Sequence, residues 1–226
     1  DIVEATDWGM EGFDCLCSDR FATVIRFHTP NSVVDNLNGY SRLKDSEHVN
    51  KMECEYFSNA QYLSFPSKAM ARFVVNNWDL NTDNVKVINN PVDFKIGKID
   101  DSNQKYSSTI RLGFLGRLEP RKGVYILAES LQYLFSKLEN LEACFIGPDT
   151  RLSSGSVGKH LRNTLDQWSG KVVFTGHLSG REKFDAIESC DLFVLPSLWE
   201  NFPYACLEVM AAGKYVIASS DSGFEE

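Results

Sequence analysis

Three basic residues lie close together in the middle of the sequence. Arg117, Arg121 and Lys122 fall within six residues of a chain whose formal net charge is −8. They follow an apolar run that predicts a strand, and a helix is predicted to begin near Lys122. Helix starts at the carboxyl ends of strands offer free N–H groups to phosphates, which Arg and Lys side chains also bind. The loop predicts a phosphate site, although by itself it fits a solvated basic turn equally well.

Two glutamates further along, Glu200 and Glu208, have seven residues between them. Pro203 suits the first turn of a helix, so Glu200 is predicted to lie in the preceding loop and Glu208 more than one turn inside. Glu200 could simply complement the helix dipole, which is worth about 0.3–1 kcal/mol. Glu208 lies among apolar residues, where a carboxylate needs a partner. A hydroxyl group of a ligand is one candidate for that partner.

Strands alternating with helices must position these residues. Apolar runs bounded by turn residues predict strands at 23–28, 62–65, 85–88, 110–115, 143–146, 172–174, 192–195 and 215–218. Stretches of helical period lie at 46–60, 68–75, 123–138, 157–168, 181–189 and 203–212. This alternation predicts an α/β fold with parallel strands covered on both faces, five of them after residue 108. The first half has few predicted strands for an independent sheet, and the polar stretch 95–108 has the composition of a linker.

Composition excludes several classes of protein. The chain has 226 residues, of which 43% are hydrophobic and 24% charged, so it is neither disordered nor fibrous. Its acidic balance argues against nucleic acid as a partner. No apolar run reaches the roughly 18 residues that cross a bilayer, so a soluble protein is predicted. The six cysteines form no CxxC pair, and three of them (Cys144, Cys190 and Cys206) lie in or beside apolar runs, which favours buried, reduced thiols in a cytoplasmic protein over disulfides or zinc.

Several short motifs occur in a fixed order along the chain. They are 116–117 with 122–123, Ile146-Gly147, 173–178, Leu195-Pro196-Ser197, the pair Glu200 and Glu208, and 222–226. Together they resemble the carboxyl-terminal domain of the retaining GT-B glycosyltransferases of family 4, also called glycosyl transferases group 1. The segments 1–4, 26–30, 65–67 and 89–93 are similar to the acceptor-side domain of that family. The glutamate pair combined with the Arg and Lys loop is the specific part of the resemblance.

The resemblance implies a GT-B architecture: two Rossmann-like domains with parallel sheets facing across a cleft. Residues 1–94 would be a partial acceptor-side domain, 95–108 an interdomain linker, and 109–226 the nucleotide-sugar domain without its last helices. The family's amino-terminal glycine-rich loop is absent, and Ser222 stands where the family usually has a glycine. The chain is therefore expected to be a fragment of a longer protein and inactive alone.

The same resemblance implies roles for individual residues. Arg117 and Lys122 would bind the donor diphosphate, and Glu208 the ribose, with Leu178 against the base. Glu200 and the backbone at Asn201, Phe202 and Pro203 would bind the donor sugar. His28 would reach the transferred sugar from the other domain, so Glu200 and His28 are the catalytic candidates. Without the family context, His28 fits an ordinary hydrogen-bonded histidine at a strand end.

These roles imply a metal-independent, hexosyltransferase-type enzyme. It would move a sugar from a UDP- or GDP-linked donor to a hydroxyl of a carbohydrate or lipid-linked acceptor, with retention at the anomeric carbon. No metal site and no cofactor is expected, because the sequence has no DxD carboxylate pair. Association with a membrane surface stays open. Two alternatives remain: a non-catalytic module that binds a nucleotide or a sugar, and a dinucleotide-dependent oxidoreductase, against which the missing GxGxxG argues.

Overall fold

The computed structural model describes residues 1–18, 20–39, 44–78, 80–81, 83–92 and 108–226, with the backbone alone for 44–46. The described chain forms two compact units. The first unit comprises Asp1–Pro91, Trp199–Phe202 and Ser220–Glu226, and the second comprises Val92–Leu198 and Pro203–Ser219. The predicted linker 95–108 lies outside the described residues except for Ser108.

The first unit is built on a four-stranded parallel sheet in the order β1-β2-β3-β4. Its strands are Ile2–Thr6 (β1), Ala22–Arg26 (β2), Tyr62–Phe65 (β3) and Val85–Val87 (β4). Its helices are Phe13–Leu16 (α1), Asn31–Asn38 (α2), Lys44–Ser58 (α3) and Lys68–Trp78 (α4), with a 3₁₀ turn at Gly223–Glu225. The expectation of too few strands for a sheet is therefore wrong. The sequence does not predict strand β1, because Glu4 interrupts its apolar run.

Aromatic rings form the core of the first unit. Phe27 stacks on Phe65 with ring centroids 4.5 Å apart and packs against Phe57 at 4.7 Å. All three rings are fully buried or nearly so. Burying an aromatic side chain is worth roughly 1.5–3 kcal/mol, so these rings supply much of the stability of the unit. They also fix the ends of β2 and β3, where the candidate residue His28 lies.

The second unit contains a five-stranded parallel sheet in the order β11-β10-β5-β6-β9. Its strands are Ile110–Leu115 (β5), Leu141–Ile146 (β6), Val172–Gly176 (β9), Leu192–Leu195 (β10) and Tyr215–Ala218 (β11), with a small hairpin of Arg151–Leu152 (β7) and Gly155–Ser156 (β8). Its helices are Val124–Lys137 (α5), Val157–Thr164 (α6), Gly180–Glu188 (α7) and Tyr204–Ala211 (α8), with 3₁₀ turns at Pro120–Lys122 and Asp166–Lys171. The five predicted strands are confirmed.

The order of these strands creates a switch point. The chain runs outward from β5 through β6 to β9, then returns to the other side of β5 with β10 and β11. In open α/β sheets, ligands bind beyond the carboxyl ends of the strands where the strand order reverses. Here that place lies between β5 and β10, so the loops that follow these two strands are where a ligand site is expected.

Helix α5 covers the sheet of the second unit with one apolar face. Val124, Leu127 and Leu131 are buried, as their helical spacing predicts, and Phe135 continues the same face. Leu138 is the exception, because the helix ends at Lys137 and the Leu138 side chain is 42% exposed. The predicted helix 157–168 is also shorter, since it ends at Thr164 and continues only as a 3₁₀ turn.

Among the described residues, no helix combines the length and the apolar character that crossing a bilayer requires. All six cysteines are described and carry free thiols. Cys144, Cys190 and Cys206 are buried, which confirms the interpretation of their apolar surroundings.

Gly123 is a position where the fold of the second unit depends on the absence of a side chain. Its φ is +68°, and a Cβ atom there would lie 1.9 Å from the carbonyl oxygen of Pro196. Since the carbonyl oxygen of Pro196 is a backbone atom of the loop after β10, a rotamer change cannot relieve the clash. The loop after β5 can approach that loop only with glycine at this position.

We therefore expect Gly123→Ala to lower the free energy of unfolding by about 2–5 kcal/mol, because backbone strain adds to the clash. The matched control is Gly176→Ala, at φ +73° with no atom within 4 Å of its Cβ position, which should cost about 1 kcal/mol from strain alone. Urea denaturation of both variants measures the difference. Equal costs would contradict the close packing of the two loops.

Candidate functional site

The loop after β5 presents the predicted phosphate-binding residues within the second unit. Arg117 is exposed directly after the strand, and Lys122 ends the 3₁₀ turn at Pro120–Lys122. Helix α5 begins at Val124, two residues later than predicted, with Gly123 as its N-cap. The first N–H groups of the helix have no partner within the helix. These N–H groups and the two cations lie on one short segment of the chain. This arrangement can bind an anion.

Arg121 does not belong to the exposed group of cations. Its side chain is 8% exposed, and its guanidinium lies 2.7 Å from Oε1 of Glu119, which is itself buried. Arg117 approaches the same oxygen at 3.4 Å but keeps 60% of its side chain exposed. Of the three basic residues within this loop, Arg121 therefore neutralises a buried carboxylate instead of facing solvent. Sequence analysis missed the role of Glu119, whose only signal was an acidic residue inside a basic loop.

Two contacts hold the loop after β5 against the loop after β10. The backbone N–H of Leu198 donates to the carbonyl oxygen of Arg121 at 2.8 Å, and Gly123 packs on the Pro196 carbonyl. Within the loop after β5, the N–H of Lys122 donates to the carbonyl oxygen of Glu119 at 2.9 Å, which closes the turn that contains the basic residues. The basic segment is therefore fixed at the switch point between β5 and β10.

Glu208 lies on α8, inside the helix as predicted, and its partner is a lysine. The ammonium of Lys183, on α7, lies 2.8 Å from Oε1 of Glu208, and both side chains are partly exposed. Pro203 is the N-cap of α8 rather than its first residue, and Leu178 lies partly exposed before α7. Sequence analysis missed Lys183, because no spacing linked it to Glu208. A polar ligand that met Glu208 would also meet this ammonium.

The remaining predicted residues belong to the first unit. Glu200 is buried, and its carbonyl accepts a 2.8 Å hydrogen bond from the N–H of Gly223. Asn201 donates from its side-chain amide to the carbonyl oxygen of His28. Phe202 is partly exposed and ends this segment of the first unit. Glu200 and Asn201 are thus tied by their own bonds to the end of β2 and to the segment 220–226.

In the segment 220–226, serine takes the place of the family's usual glycine at position 222 without backbone strain. Ser222 has φ −147°, an extended conformation that any residue adopts, so serine causes no strain there. Gly223 is the restricted position, because a Cβ would lie 2.3 Å from the Asn201 carbonyl oxygen. Beyond it, the carboxylate of Glu226 accepts the N–H groups of Lys68 and Ala69 at 2.9 and 2.6 Å, which caps α4.

His28 stands beside a buried carboxylate that sequence analysis did not identify. Asp7 follows β1, His28 follows the neighbouring β2, and the His28 backbone N–H donates to Asp7 Oδ2 at 2.9 Å. The imidazole Nδ1 lies 3.4 Å from Asp7 Oδ1. The hydrogen bond to Asp7 raises the pKa of His28 above its usual value, although burial acts in the opposite direction. Both residues belong to the first unit.

A second buried acid, Glu53 on α3, lies in the same region. Its Oε1 accepts a hydrogen bond from Asn31 at 2.9 Å, and its side chain is almost fully buried. Burial raises the pKa of Glu53 to about 7, and the negative charges of Asp7 and Asp35 contribute in the same direction. Glu53 therefore titrates near neutral pH.

The second unit has a doubly wound parallel sheet with basic residues at its switch point, which is the class of fold that binds nucleotides at strand ends. Residues 109–226, just over half of the chain, match the family model described as Glycosyl transferases group 1. The chain belongs to that family. Among the described residues, no group of three or more His, Cys, Asp or Glu side chains is placed to hold a metal ion.

Curated relatives include an uncharacterized glycosyltransferase of Methanocaldococcus jannaschii, 28% identical over 80% of this chain and 48% of that protein. A phosphatidyl-myo-inositol mannosyltransferase of Mycolicibacterium smegmatis is 32% identical over 49% of this chain and 28% of the relative. The chain spans about half the length of the first of these relatives, and less of the second.

Solved structures share the fold. Sucrose-phosphate synthase from Thermosynechococcus elongatus superposes with a TM-score of 0.78 at 19% identity, covering 99% of this chain and 57% of that one. HepE of Anabaena, solved with UDP-glucose, gives a TM-score of 0.73 at 20% identity over 100% of this chain and 61% of that one. The expected GT-B fold is therefore confirmed.

The shared contact on Glu119 yields a paired prediction. Arg121→Met should lower the free energy of unfolding by about 3–5 kcal/mol, because it removes the buried partner of a buried charge. Arg117→Met removes the exposed partner of the same oxygen and should cost less than about 1 kcal/mol. Urea denaturation measures both variants. A cost for Arg117→Met that matched Arg121→Met would contradict this division of roles.

Glu53 predicts a pH dependence of stability. Its pKa is about 7 in the folded protein and near 4.5 when unfolded, so the folded state holds a proton that the unfolded state releases between these values. Stability is consequently lost as the pH rises through this window, by about 3 kcal/mol at pH 7. Glu53→Gln keeps the acceptor for Asn31 and abolishes the titration.

The stability of Glu53→Gln relative to the parent should therefore increase between pH 5 and pH 7.5 in urea denaturation. Glu55→Gln is the matched control on the same helix, since Glu55 is exposed and pairs only loosely with Lys51 at 3.9 Å. Its difference from the parent should stay constant. A constant difference for both variants would show that Glu53 ionises normally in the folded protein.

Proposed function

We propose that the protein to which this chain belongs transfers a sugar from a nucleotide diphosphate sugar to a hydroxyl acceptor, with retention at the anomeric carbon. The observation that carries this proposal is the loop at the switch point, where Arg117 and Lys122 flank a helix start. Family membership supplies the reaction class, and the charges on this loop supply a reason for the donor to be a diphosphate.

The leaving diphosphate gains negative charge as the glycosidic bond breaks. Fixed cations and free N–H groups stabilise that charge more strongly in the transition state than in the ground state. Arg117 is suited to this role because it is exposed while its guanidinium is held near the buried carboxylate of Glu119. Arg117 and Lys122 provide the charge without a metal ion, so we propose a metal-independent reaction with no cofactor.

The nucleoside would bind along the neighbouring elements of the second unit. Ribose hydroxyls would donate to Glu208, whose present partner Lys183 is only partly buried and can adjust. Leu178 would lie against the base. The proposed donor is a UDP- or GDP-linked hexose; the HepE structure with UDP-glucose supports a UDP-linked sugar, and the mannosyltransferase relative supports a hexose.

The donor sugar would be held by residues 200–203. Glu200 would accept hydroxyl groups of the sugar, and the backbone at Asn201, Phe202 and Pro203 would donate to others. His28 would contact the transferred sugar. We assign no protein nucleophile, since attack from the face of the leaving group allows the leaving phosphate to take the acceptor proton. The acceptor would be a carbohydrate or a lipid-linked molecule, and the reaction would take place in the cytoplasm.

The test is kinetic and uses the complete gene product. Arg117→Ala and Lys122→Ala should each lower turnover by at least about 100-fold, because each removes a group that stabilises transition-state charge. Arg151→Ala is the control for the loss of one positive charge, because Arg151 is exposed in the hairpin of the same unit. It should leave turnover unchanged.

Calorimetric titration with UDP and GDP separates this proposal from a non-catalytic module. Binding that Arg117→Ala weakens, together with sugar transfer by the parent, supports the proposal. Binding without any transfer to water or to an acceptor would instead favour a nucleotide-binding module. Near-normal turnover of both variants would overturn the assignment of the loop.

A further inference from the structure

We propose that Asp7 is a positioning residue that holds the imidazole of His28 in one tautomer, with Nδ1–H directed at the carboxylate and Nε2 left for the substrate. This inference rests on the proposed function for its catalytic meaning. Its structural half depends only on contacts within the first unit. Neither the family resemblance nor the sequence patterns assigned a role to Asp7.

The burial of Asp7 carries the first step. The side chain of Asp7 is fully buried, whereas that of His28 is 51% exposed. A buried carboxylate needs hydrogen-bond donors. Without them, the lost hydration of the carboxylate costs several kcal/mol of stability, as an order-of-magnitude figure. Oδ2 accepts the backbone N–H of His28 at 2.9 Å. The described residues give Oδ1 no close, well-aligned hydrogen bond, and Nδ1 of His28 lies 3.4 Å from it.

The geometry then fixes where the proton lies. If Nδ1 carried a lone pair, it would face a carboxylate oxygen, and two acceptors would repel each other. The neutral imidazole therefore carries its proton on Nδ1 and keeps its lone pair on Nε2. Neutral His28 would accept a hydrogen bond from a hydroxyl at Nε2, and protonated His28 would donate one. A fixed ring nitrogen is what a group contacting a sugar requires.

The backbone around His28 limits movement of the ring. Asp7 donates its own N–H to the carbonyl of Arg26 at 3.2 Å, which joins the ends of β1 and β2. Asn201 donates to the carbonyl of His28 from the segment 199–202. Asp7 contacts both the backbone N–H and the imidazole ring of His28, so it restrains the backbone and the side chain of His28 together.

Other charged groups surround this pair and must be separated from it in any pH study. Asp7 raises the pKa of His28, and so does a hydrogen bond to the backbone of Arg26 on β2, while the charge of the Arg26 side chain lowers it. On α3, Glu53 titrates near pH 7, and Tyr56 donates its hydroxyl to the carbonyl of Thr6 at 3.3 Å. Asp35 on α2 raises the pKa of Glu53 and is not among the groups that shift His28.

The first experiment is a nitrogen-15 NMR titration of this chain, which has four histidines. The variant His28→Gln assigns the His28 signals. We expect neutral His28 to show the Nδ1–H tautomer and its pKa to lie above 6.5. An Nε2–H tautomer in the unmodified chain would overturn the proposal without any test of a variant.

Asp7→Asn keeps an acceptor and removes the charge. We expect the pKa of His28 to fall by about one unit, since an adjacent opposite charge shifts a pKa by 1–3 units. Asp35→Asn removes one negative charge from the same unit and should leave the pKa of His28 unchanged. An equal shift in both variants would overturn the specific role of Asp7. If Asp7→Asn fails to fold, the tautomer of the unmodified chain still decides the question.

The second experiment measures transfer by the complete gene product across pH. The limb of the profile that His28→Gln removes should move to lower pH in Asp7→Asn. An unmoved limb, together with the expected NMR shift, would show that Asp7 positions His28 without serving the reaction, and would overturn the catalytic half of the inference. Absence of transfer by the unmodified protein would overturn the proposed function instead, while the NMR result would still decide the tautomer.

Discussion

The close approach of two loops in the second unit is the constraint on which the candidate donor site depends. Gly123 packs against the carbonyl of Pro196, and the carbonyl of Arg121 accepts the N–H of Leu198. These contacts join the loops after β5 and β10, the two strands between which the strand order reverses. Because helix α5 begins directly after Gly123, its free N–H groups are fixed in the same place as the basic side chains. A residue larger than glycine at position 123 would push the two loops apart and would therefore disrupt the candidate anion site.

Exposed polar groups in both units are held in place by acids. Glu119 is buried close to Arg117, Asp7 is buried beside His28, and Glu208 pairs with Lys183. A buried carboxylate needs donors, so it restrains the side chain that supplies them. The price is the desolvation of each acid, which the raised pKa of Glu53 illustrates. This arrangement also explains how a protein of net charge −8 can offer positive groups to an anion: several of its acids act from the interior.

Sequence patterns predicted the second unit better than the first. The strands β5 and β10 are mostly apolar, and an apolar run between turn residues is recognisable without its partner strands. Strand β1, which Glu4 interrupts, and the short helix α2 gave no such signal. For the candidate site, the motifs pointed to Arg117, Lys122 and Glu208 but gave no signal for the contacts of Glu119, Lys183 and Asp7. Their roles arise from contacts between residues that follow different strands or lie on different helices, and no spacing along the chain encodes those contacts.

The seven-residue spacing between the two glutamates is also explained by the fold rather than by helical periodicity. Glu208 lies inside α8, but Glu200 precedes the helix, whose N-cap is Pro203. The segment Trp199–Phe202 belongs to the first unit, where Trp199 packs on Phe73 at 4.7 Å and Asn201 bonds to the His28 carbonyl. The two glutamates therefore lie in different local structures, Glu200 in a loop segment and Glu208 in a helix. An insertion between residues 200 and 203 would shift Glu200 and Asn201 out of their contacts with Gly223 and His28, even though it would leave α8 intact.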